Sequence, residues 1–457
     1  MNKVLHLLFQ AQKQMPVSMG PAVSGDLLLT ILFWKLVSDW WRVGGLRYWL
    51  PYGGHDPAIL AMEQVNQLAV PDAAIYEACQ WQNPLEAGAA IRTALYALMN
   101  GQRGRALDGV LRPERFGPLS EFAALFGNTD LLARVMNIIG GISVFSTVPQ
   151  VTMGHVFSRA LDILQLVPDV PPVNVVQLMA QLVNPVPGDS IYDPVCGCGQ
   201  RLLAMVERVA KHHPDHQLVL YGQAIQSSQW ALAKMQCLAK GLLCHRLERA
   251  DALDTPMRAP GSDDLLRFDA VLLAVPFAPM EADCLPQECR ARFPLGVPLD
   301  ARLALIWHAL ASLKPSQGRL CVWIAQDLLD SDDAFSLRRY LVQRHLLEAV
   351  IQLPHKMRRA DNNPPVLLLI RQQASRTPVA FMAGMLAQVG KQVHRGLYDV
   401  REIGFAYAAY QKQQAHPYLR LIDHHVMAKR HYSLAIAAYT SWLWGIASDA
   451  IHTGSEH

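Results

Sequence analysis

The stretch IYDPVCGCGQRLL (191–203) decides the fold. A short apolar run ends on Asp193, a loop carrying Gly197 and Gly199 follows, and an apolar-periodic stretch begins at Arg201. That order predicts a strand, a tight turn and the start of a helix. Glycine lets a backbone turn sharply and approach a ligand, and the first N–H groups of a helix point at whatever lies before it. Asp193 is placed to accept hydrogen bonds from a ligand ammonium. On spacing alone an ordinary β–α turn fits equally well, so the neighbouring sequence has to discriminate.

Outward from that loop, from about 151 to 380, β-rich runs alternate with helical ones. The β-rich runs are SIYD (190–193), LVLYGQ (218–223), HRLERA (245–250), FDAVLLAV (268–275), RLCVWIA (319–325), EAVIQLP (348–354) and PVLLLIR (365–371). Between them lie RLLAMVERVAKHH (201–213), QWALAKMQCLAKG (229–241), ARLALIWHALASL (301–313) and SLRRYLVQR (336–344). Such alternation predicts an open, mostly parallel sheet with helices on both faces. Only the loop HKMRRADNNP (355–364) joins the last two runs, which predicts an antiparallel hairpin at the sheet edge.

Residues 1–150 read as a helical domain. DLLLTILFWKLVSDWWR (26–42) is apolar nearly all round, which predicts a buried helix with Asp26 as its N-cap and Gly44-Gly45 as its stop. AIRTALYALMNG (90–101) is a second helix ending at Gly101, and LPYGGHDP (50–57) is turn-rich. Residues 381–457 form a tail with few sheet signals, expected to be helical and to dock on a partner. Its run YSLAIAAYTSWLWGIAS (432–448) approaches membrane-spanning length. Ser, Thr and Tyr interrupt it and no basic flank follows, so a docked helix is expected and no membrane contact.

The 457 residues are 51% apolar and 17% charged, which suits a large core and excludes a disordered chain. A net charge of +3 permits nucleic-acid contact without indicating it. The eight cysteines show no zinc spacing, the N-terminal run VLHLLF is too short for a signal peptide, and reduced thiols in a cytoplasmic protein are expected. No Walker loop, GxSxG elbow or solenoid repeat occurs.

The loop strongly resembles that of the modification (M) subunits of type I restriction-modification systems, which are N6-adenine DNA methyltransferases. Their Asp-Pro-x-Cys-Gly-Ser-Gly stands here as Asp193-Pro194-Val195-Cys196-Gly197-Cys198-Gly199. Their next strand and helix resemble Tyr221-Gly222-Gln223-Ala224 and WALAKM (230–235). HALASLKPSQGRLCVWIAQDLL (308–329), LRRYLVQRHLLEAVIQLP (337–354) and PPVLLLIR (364–371) are similar to the family's later strands. Weaker likeness extends to GDLLLTILFWKLVSDWW (25–41) and HHVMAKRHYSL (424–434).

The resemblance implies a Rossmann-like S-adenosylmethionine-dependent α/β domain at 151–380, between the helical N-terminal domain and the C-terminal tail. It implies cofactor binding by Asp193, Pro194, Cys196, Gly197, Gly199 and Asp251, and DNA and other subunits as partners: a specificity-type or restriction-type subunit, or a second copy. Asp251 also reads as an N-cap or turn carboxylate.

Three departures stand out. The family's ribose-binding carboxylate is Ala224 here, and losing that charge-assisted pair of hydrogen bonds weakens binding by about 1.5–3 kcal/mol. Asp169-Val170-Pro171-Pro172 replaces its Phe-Tyr-Thr-Pro. Its catalytic Asn-Pro-Pro-Phe is Ala274-Val275-Pro276-Phe277. Methylating an exocyclic amine needs acceptors for its two N–H bonds, and the aromatic ring stacks on the flipped base. Ala274 offers no acceptor, and Val275 replaces the proline that shapes the carbonyl.

The expected function is therefore a catalytically inactive M-subunit homologue that binds S-adenosylmethionine weakly or not at all. It would serve as a DNA- or protein-binding component of a defence or mobile-element system. The alternatives are an active methyltransferase needing a partner, and a non-catalytic cofactor or nucleotide sensor. Among the basic clusters, RGRALDGVLRPER (103–115) and RRYLVQR (338–344) read as solvated faces. Lys356, Arg358 and Arg359 are the candidate nucleic-acid contacts. His424, His425 and His431 read as a solvated segment, with no metal site.

Overall fold

The computed structural model describes residues 2–16, 20–42, 70, 72–77, 86–100, 109–110, 129–142, 157, 171–213, 218–240, 242, 245–280, 293, 298, 300–353, 365–373, 377–383, 387–389, 392–394, 400–416 and 419–439. In chain order the elements are α1 (Asn2–Gln14), α2 (Pro21–Arg42), α3 (Ala87–Asn100), α4 (Thr129–Gly140), α5 (Val173–Val183), β1 (Ser190–Asp193), α6 (Gln200–Ala210), β2 (Val219–Gln223), α7 (Ser227–Ala239), β3 (His245–Glu248) and β4 (Ala270–Ala274). They continue with α8 (Ala301–Ala311), β5 (Arg319–Ala325), α9 (Gln326–Asp330), α10 (Phe335–Gln343), β6 (Leu347–Gln352), β7 (Pro365–Arg371), β8 (Val379–Ala383), β9 (Ala387–Val389), β10 (Gln392–His394), α11 (Val400–Gln411), β11 (Leu419–Ile422) and α12 (His424–Lys429). They fall into two compact units.

The first unit comprises Met1–Val170, Val186–Gly188 and Cys196–Ala250. Its core forms around α2, whose residues from Leu27 to Val37 are buried, as its all-round apolar pattern predicts. Leu8 of α1, Leu95 and Leu98 of α3, and Val135 and Ile139 of α4 belong to this core. So do Ala231, Leu232, Met235 and Leu238 of α7, together with Cys198 of the loop. The N-terminal helices, α7 and the loop carrying Cys198 thus share apolar packing. Asp26 is not the cap expected of it. The helix begins at Pro21, a residue suited to a first turn, and Asp26 lies buried inside with its carbonyl accepting from Thr30 Oγ1 at 2.7 Å.

Polar groups in this core are tied internally. Trp34 Nε1 donates to the Ala74 carbonyl at 2.6 Å and Tyr76 Oη to the Met136 carbonyl at 2.7 Å, with the two rings 4.9 Å apart. Buried Lys35 pairs with Asp39 and, at 2.9 Å, with Glu77. Burial pushes the Asp39 carboxyl up to about 6 against the pull of Lys35. In the same unit β2 and β3 pair in parallel, Gln223 opposite Glu248.

The second unit comprises Pro171–Pro185, Asp189–Val195 and Asp251–His457. Its strands lie in the order β11-β8-β6-β7-β5-β4-β1. β1 pairs with β4 and β4 with β5 in parallel, whereas β7 runs antiparallel to both β5 and β6. The hairpin of β6 and β7 forms as expected but is not at the edge. β8 pairs in parallel with β6, and β11 runs antiparallel to β8. The tail therefore contributes strands, against expectation, because VAFMA and LRLI are too short to stand out in a polar surrounding. Interior placement also explains PVLLLIR: a strand covered on both faces reads as a continuous apolar run.

Side chains fasten helices to this sheet. Arg319 of β5 pairs with Asp189 and donates to the Asn184 carbonyl at 2.7 Å, holding the end of α5. Arg371 of β7 pairs with Glu348 of β6, which also accepts from Tyr407 Oη of α11 at 2.7 Å.

Gly44-Gly45, LPYGGHDP (50–57), Gly101, most of 103–115, Asp169-Val170, HKMRRADNNP (355–364) and the run beyond 439 lie outside the described residues. Among the described residues no helix is long and apolar enough to cross a membrane, and no group of three or more His, Cys, Asp or Glu is disposed to hold a metal ion.

Replacing Lys35 with methionine leaves the buried Asp39 carboxylate and the half-buried Glu77 carboxylate without their cation. Lys35→Met is expected to destabilise the first unit by about 3–5 kcal/mol, read as a lower denaturant midpoint for its unfolding.

Candidate functional site

In the first unit the loop Cys196–Gly199 is held by main-chain bonds and close packing. Cys196 N–H donates to the Gln223 carbonyl at 2.8 Å, anchoring the loop to the end of β2. Gly199 N–H donates to the Cys196 carbonyl at 2.8 Å, and the Gln236 side chain of α7 donates to the Cys198 carbonyl. Gly199 sits at φ +83, where a side chain is strained, and a Cβ there would lie 3.2 Å from Ala233 Cβ. A Cβ on Gly222 would lie 2.9 Å from Leu247 Cδ2 and 3.0 Å from Cys196 Sγ. Cys196 and Cys198 are both buried and outside any disulfide, packed rather than presented. Ala224 is buried, its N–H donating to the Glu248 carbonyl at 3.1 Å. Its methyl group supplies no acceptor where a ribose-binding carboxylate was sought.

In the second unit Asp193 ends β1 fully buried, and its Oδ1 accepts from Val195 N–H at 3.1 Å. Pro194 beside it is buried as well. Asp251 Oδ1 accepts from Leu253 N–H at 2.9 Å, and its carbonyl accepts from Thr255 N–H at 2.7 Å. Both carboxylates thus shape their own turns. Pro172, in the segment that lacks the aromatic pair, holds the N-cap position of α5, its carbonyl accepting from Val175 and Val176 N–H with no side-chain cap.

The end of β4 is also in the second unit. Ala274 and Phe277 are each 8% exposed, and Val275 is more deeply buried. Val275 N–H donates to the Trp323 carbonyl at 2.9 Å. Ala274 stands opposite Trp323 in the parallel ladder, so their side chains share a face of the sheet. The Trp323 and Phe277 rings meet at 86° with centroids 4.4 Å apart. The Phe277 carbonyl accepts from Arg302 Nη1 at 2.7 Å, and Arg302 is itself paired with Asp300. Ala301 N–H reaches the Met280 carbonyl at 2.8 Å, so α8 pins the segment after the strand at two points.

Trp323 and Arg302 were not singled out from sequence. A tryptophan inside the otherwise aliphatic strand RLCVWIA was the available signal for the first. Nothing in the spacing of Arg302 marks it as a clamp on Phe277, because that contact depends on how α8 returns to the sheet. Lys356, Arg358 and Arg359 lie outside the described residues.

A family model for N-6 DNA methylases matches residues 171–442, more than half of the chain. The chain belongs to the N-6 DNA methylase family. Among curated proteins it is similar to a type I restriction enzyme EcoEI methylase subunit of Escherichia coli, at 24% identity over 242 residues, covering 50% of this chain and 48% of that protein. The chain thus spans about half the length of the curated relative it matches. Among solved structures it is similar to a type I restriction-modification methyltransferase subunit from Streptococcus thermophilus. That likeness has a TM-score of 0.73 at 18% identity and covers 96% of this chain and 99% of that one. A chain from a study of complex assembly and conformational transition in a type I restriction-modification system aligns at TM-score 0.65 and 15% identity, over 94% and 89% of the two chains. At these identities the structures establish a shared fold, the Rossmann-like methyltransferase fold that the loop and the β–α alternation predict.

Gly199→Ala places a side chain in a left-handed conformation against Ala233. It is expected to cost about 1–2 kcal/mol, measurable by chemical denaturation of the full chain.

Proposed function

We propose that this chain is a type I M-subunit homologue that has kept the methyltransferase shape and lost methyl transfer. It acts as a DNA- or protein-binding component of a multi-subunit assembly. The observation carrying this reading is the end of β4. Ala274, opposite Trp323 in the ladder, supplies no acceptor for an adenine amine, and Trp323 packs edge-on against Phe277. Methylating an exocyclic amine on a flipped base needs lone-pair localisation as well as stacking, and at position 274 the group for the first is missing.

Ala224 supports the same reading for the cofactor. The intact loop Cys196–Gly199 supports retention of the backbone for S-adenosylmethionine, but the bidentate grip on the ribose is gone. Binding is therefore weak or absent. Kinship with subunits that work in type I assemblies supports protein partners of the specificity or restriction type and a DNA duplex. Lys356, Arg358 and Arg359 are the residues proposed to meet its phosphates.

Purified protein incubated with labelled S-adenosylmethionine and unmethylated adenine-containing duplexes, alone and with a specificity subunit, is expected to yield no N6-methyladenine above background. Methyl transfer abolished by Asp193→Ala would overturn the proposal. In calorimetric titration with S-adenosylmethionine, Ala224→Glu is expected to gain about one to two decades of affinity, and wild-type binding as tight as the variant's contradicts the role given to Ala224.

A further inference from the structure

Two histidines remote in sequence meet in the second unit. His345 lies in the turn after α10 at φ +53, an uncommon backbone conformation for a residue with a side chain. His424 opens α12. Their rings lie 4.2 Å apart between centroids, with the planes at 63°. His345 Nδ1 and His424 Nε2 are each buried with no hydrogen-bond partner among the described residues. The pair lies on the seam between α10 and the segment 424–439. Gln343 Nε2 donates to Tyr432 Oη there at 3.1 Å, and the Phe335 and Tyr432 rings are 5.8 Å apart.

We propose that this imidazole pair is a proton-released latch, which seats the segment 424–439 on α10 while His424 is neutral and frees it when His424 is charged.

The physical basis is the cost of an imidazolium at that position. Its buried nitrogen has no acceptor, and the facing group is a second imidazole. α10 carries no acidic residue. Its cations are engaged elsewhere: Arg338 with the Leu329 and Ser331 carbonyls, Arg339 with Gln343, and Arg344, just past the helix, over the Tyr340 ring. On the segment itself Arg430 lies over the Tyr439 ring, and His425, Lys429 and His431 add only positive charge when ionised. Asp423, the residue before α12, is the one carboxylate among the described residues that favours the charged form of His424. Burial first, and His345 second, outweigh it and hold His424 below the ordinary imidazole range. A base so depressed when docked takes up a proton more readily when undocked. Docking is therefore fully favoured above about pH 6.5 and lost as pH falls below it.

Hydrogen exchange of the full chain, with EDTA present to exclude a metal shared by the imidazoles, tests the latch. The reporters are the Arg430 and Tyr432 amides, both bonded to the Met427 carbonyl. Between pH 7.5 and 5.5 their protection, corrected for intrinsic rate, is expected to fall, by up to about tenfold. In a His345→Gln/His424→Gln double variant it is expected to stay constant. Unchanged wild-type protection, or equal loss in the double variant, would sink the idea. Should the variant misfold, magnetic-resonance titration of labelled histidine in the wild type decides, because His424 titrating at or above the ordinary imidazole value contradicts the latch.

Discussion

The structure of the first unit depends on the absence of space around the loop Cys196–Gly199. Gly199 is pressed against Ala233, Gly222 has no room for a methyl group beside Cys196 and Leu247, and Cys198 is packed into the same core as α2 and α7. The loop's path is therefore set by close packing and main-chain hydrogen bonds, which cost nothing in chemistry to preserve. A carboxylate at position 224 contributes nothing to that packing. The Ala224 N–H bond to the Glu248 carbonyl forms whatever the side chain is. In the proposed reading, shape and cofactor grip are thus separable at this strand end, and one can be lost while the other persists.

The end of β4 follows the same physics in the second unit. Val275 keeps its ladder bond to Trp323, and Arg302 holds the Phe277 carbonyl. Phe277 thus has a structural reason to be present, whether or not it receives a base. The side chain at 274, by contrast, has a chemical use in an amine methyltransferase and little packing value, and it is here that a methyl group stands. In the proposed reading, selection for the fold preserves the residues that fill space, and loss of chemistry shows only at residues whose sole task was hydrogen bonding to a ligand.

Much of this architecture was legible in the chain. SIYD, RLCVWIA and PVLLLIR coincide with β1, β5 and β7, and for the last two the reason is that nearly continuous apolar runs of that length fit covered strands. The family resemblance came from the loop and from WALAKM, where backbone geometry and helix packing both constrain residue type. Less legible were features set by partners distant in sequence. Asp26 looked like a cap because glycine precedes it, yet Pro21 starts the helix earlier. The β6–β7 hairpin looked like an edge because VAFMA carries too little periodicity to reveal the strand that covers it.

The sequence by itself determined the family, the order of strands and helices, and which hydrogen-bonding groups are missing at Ala224 and Ala274. These depend on residue identity along the chain. Only the tertiary structure decided that Trp323 stands against Phe277, that Arg302 fastens its carbonyl, and that His345 meets His424. Each of those pairs is brought together by a helix or strand returning to the sheet, and a side chain's neighbours across such a return are not encoded in any local spacing.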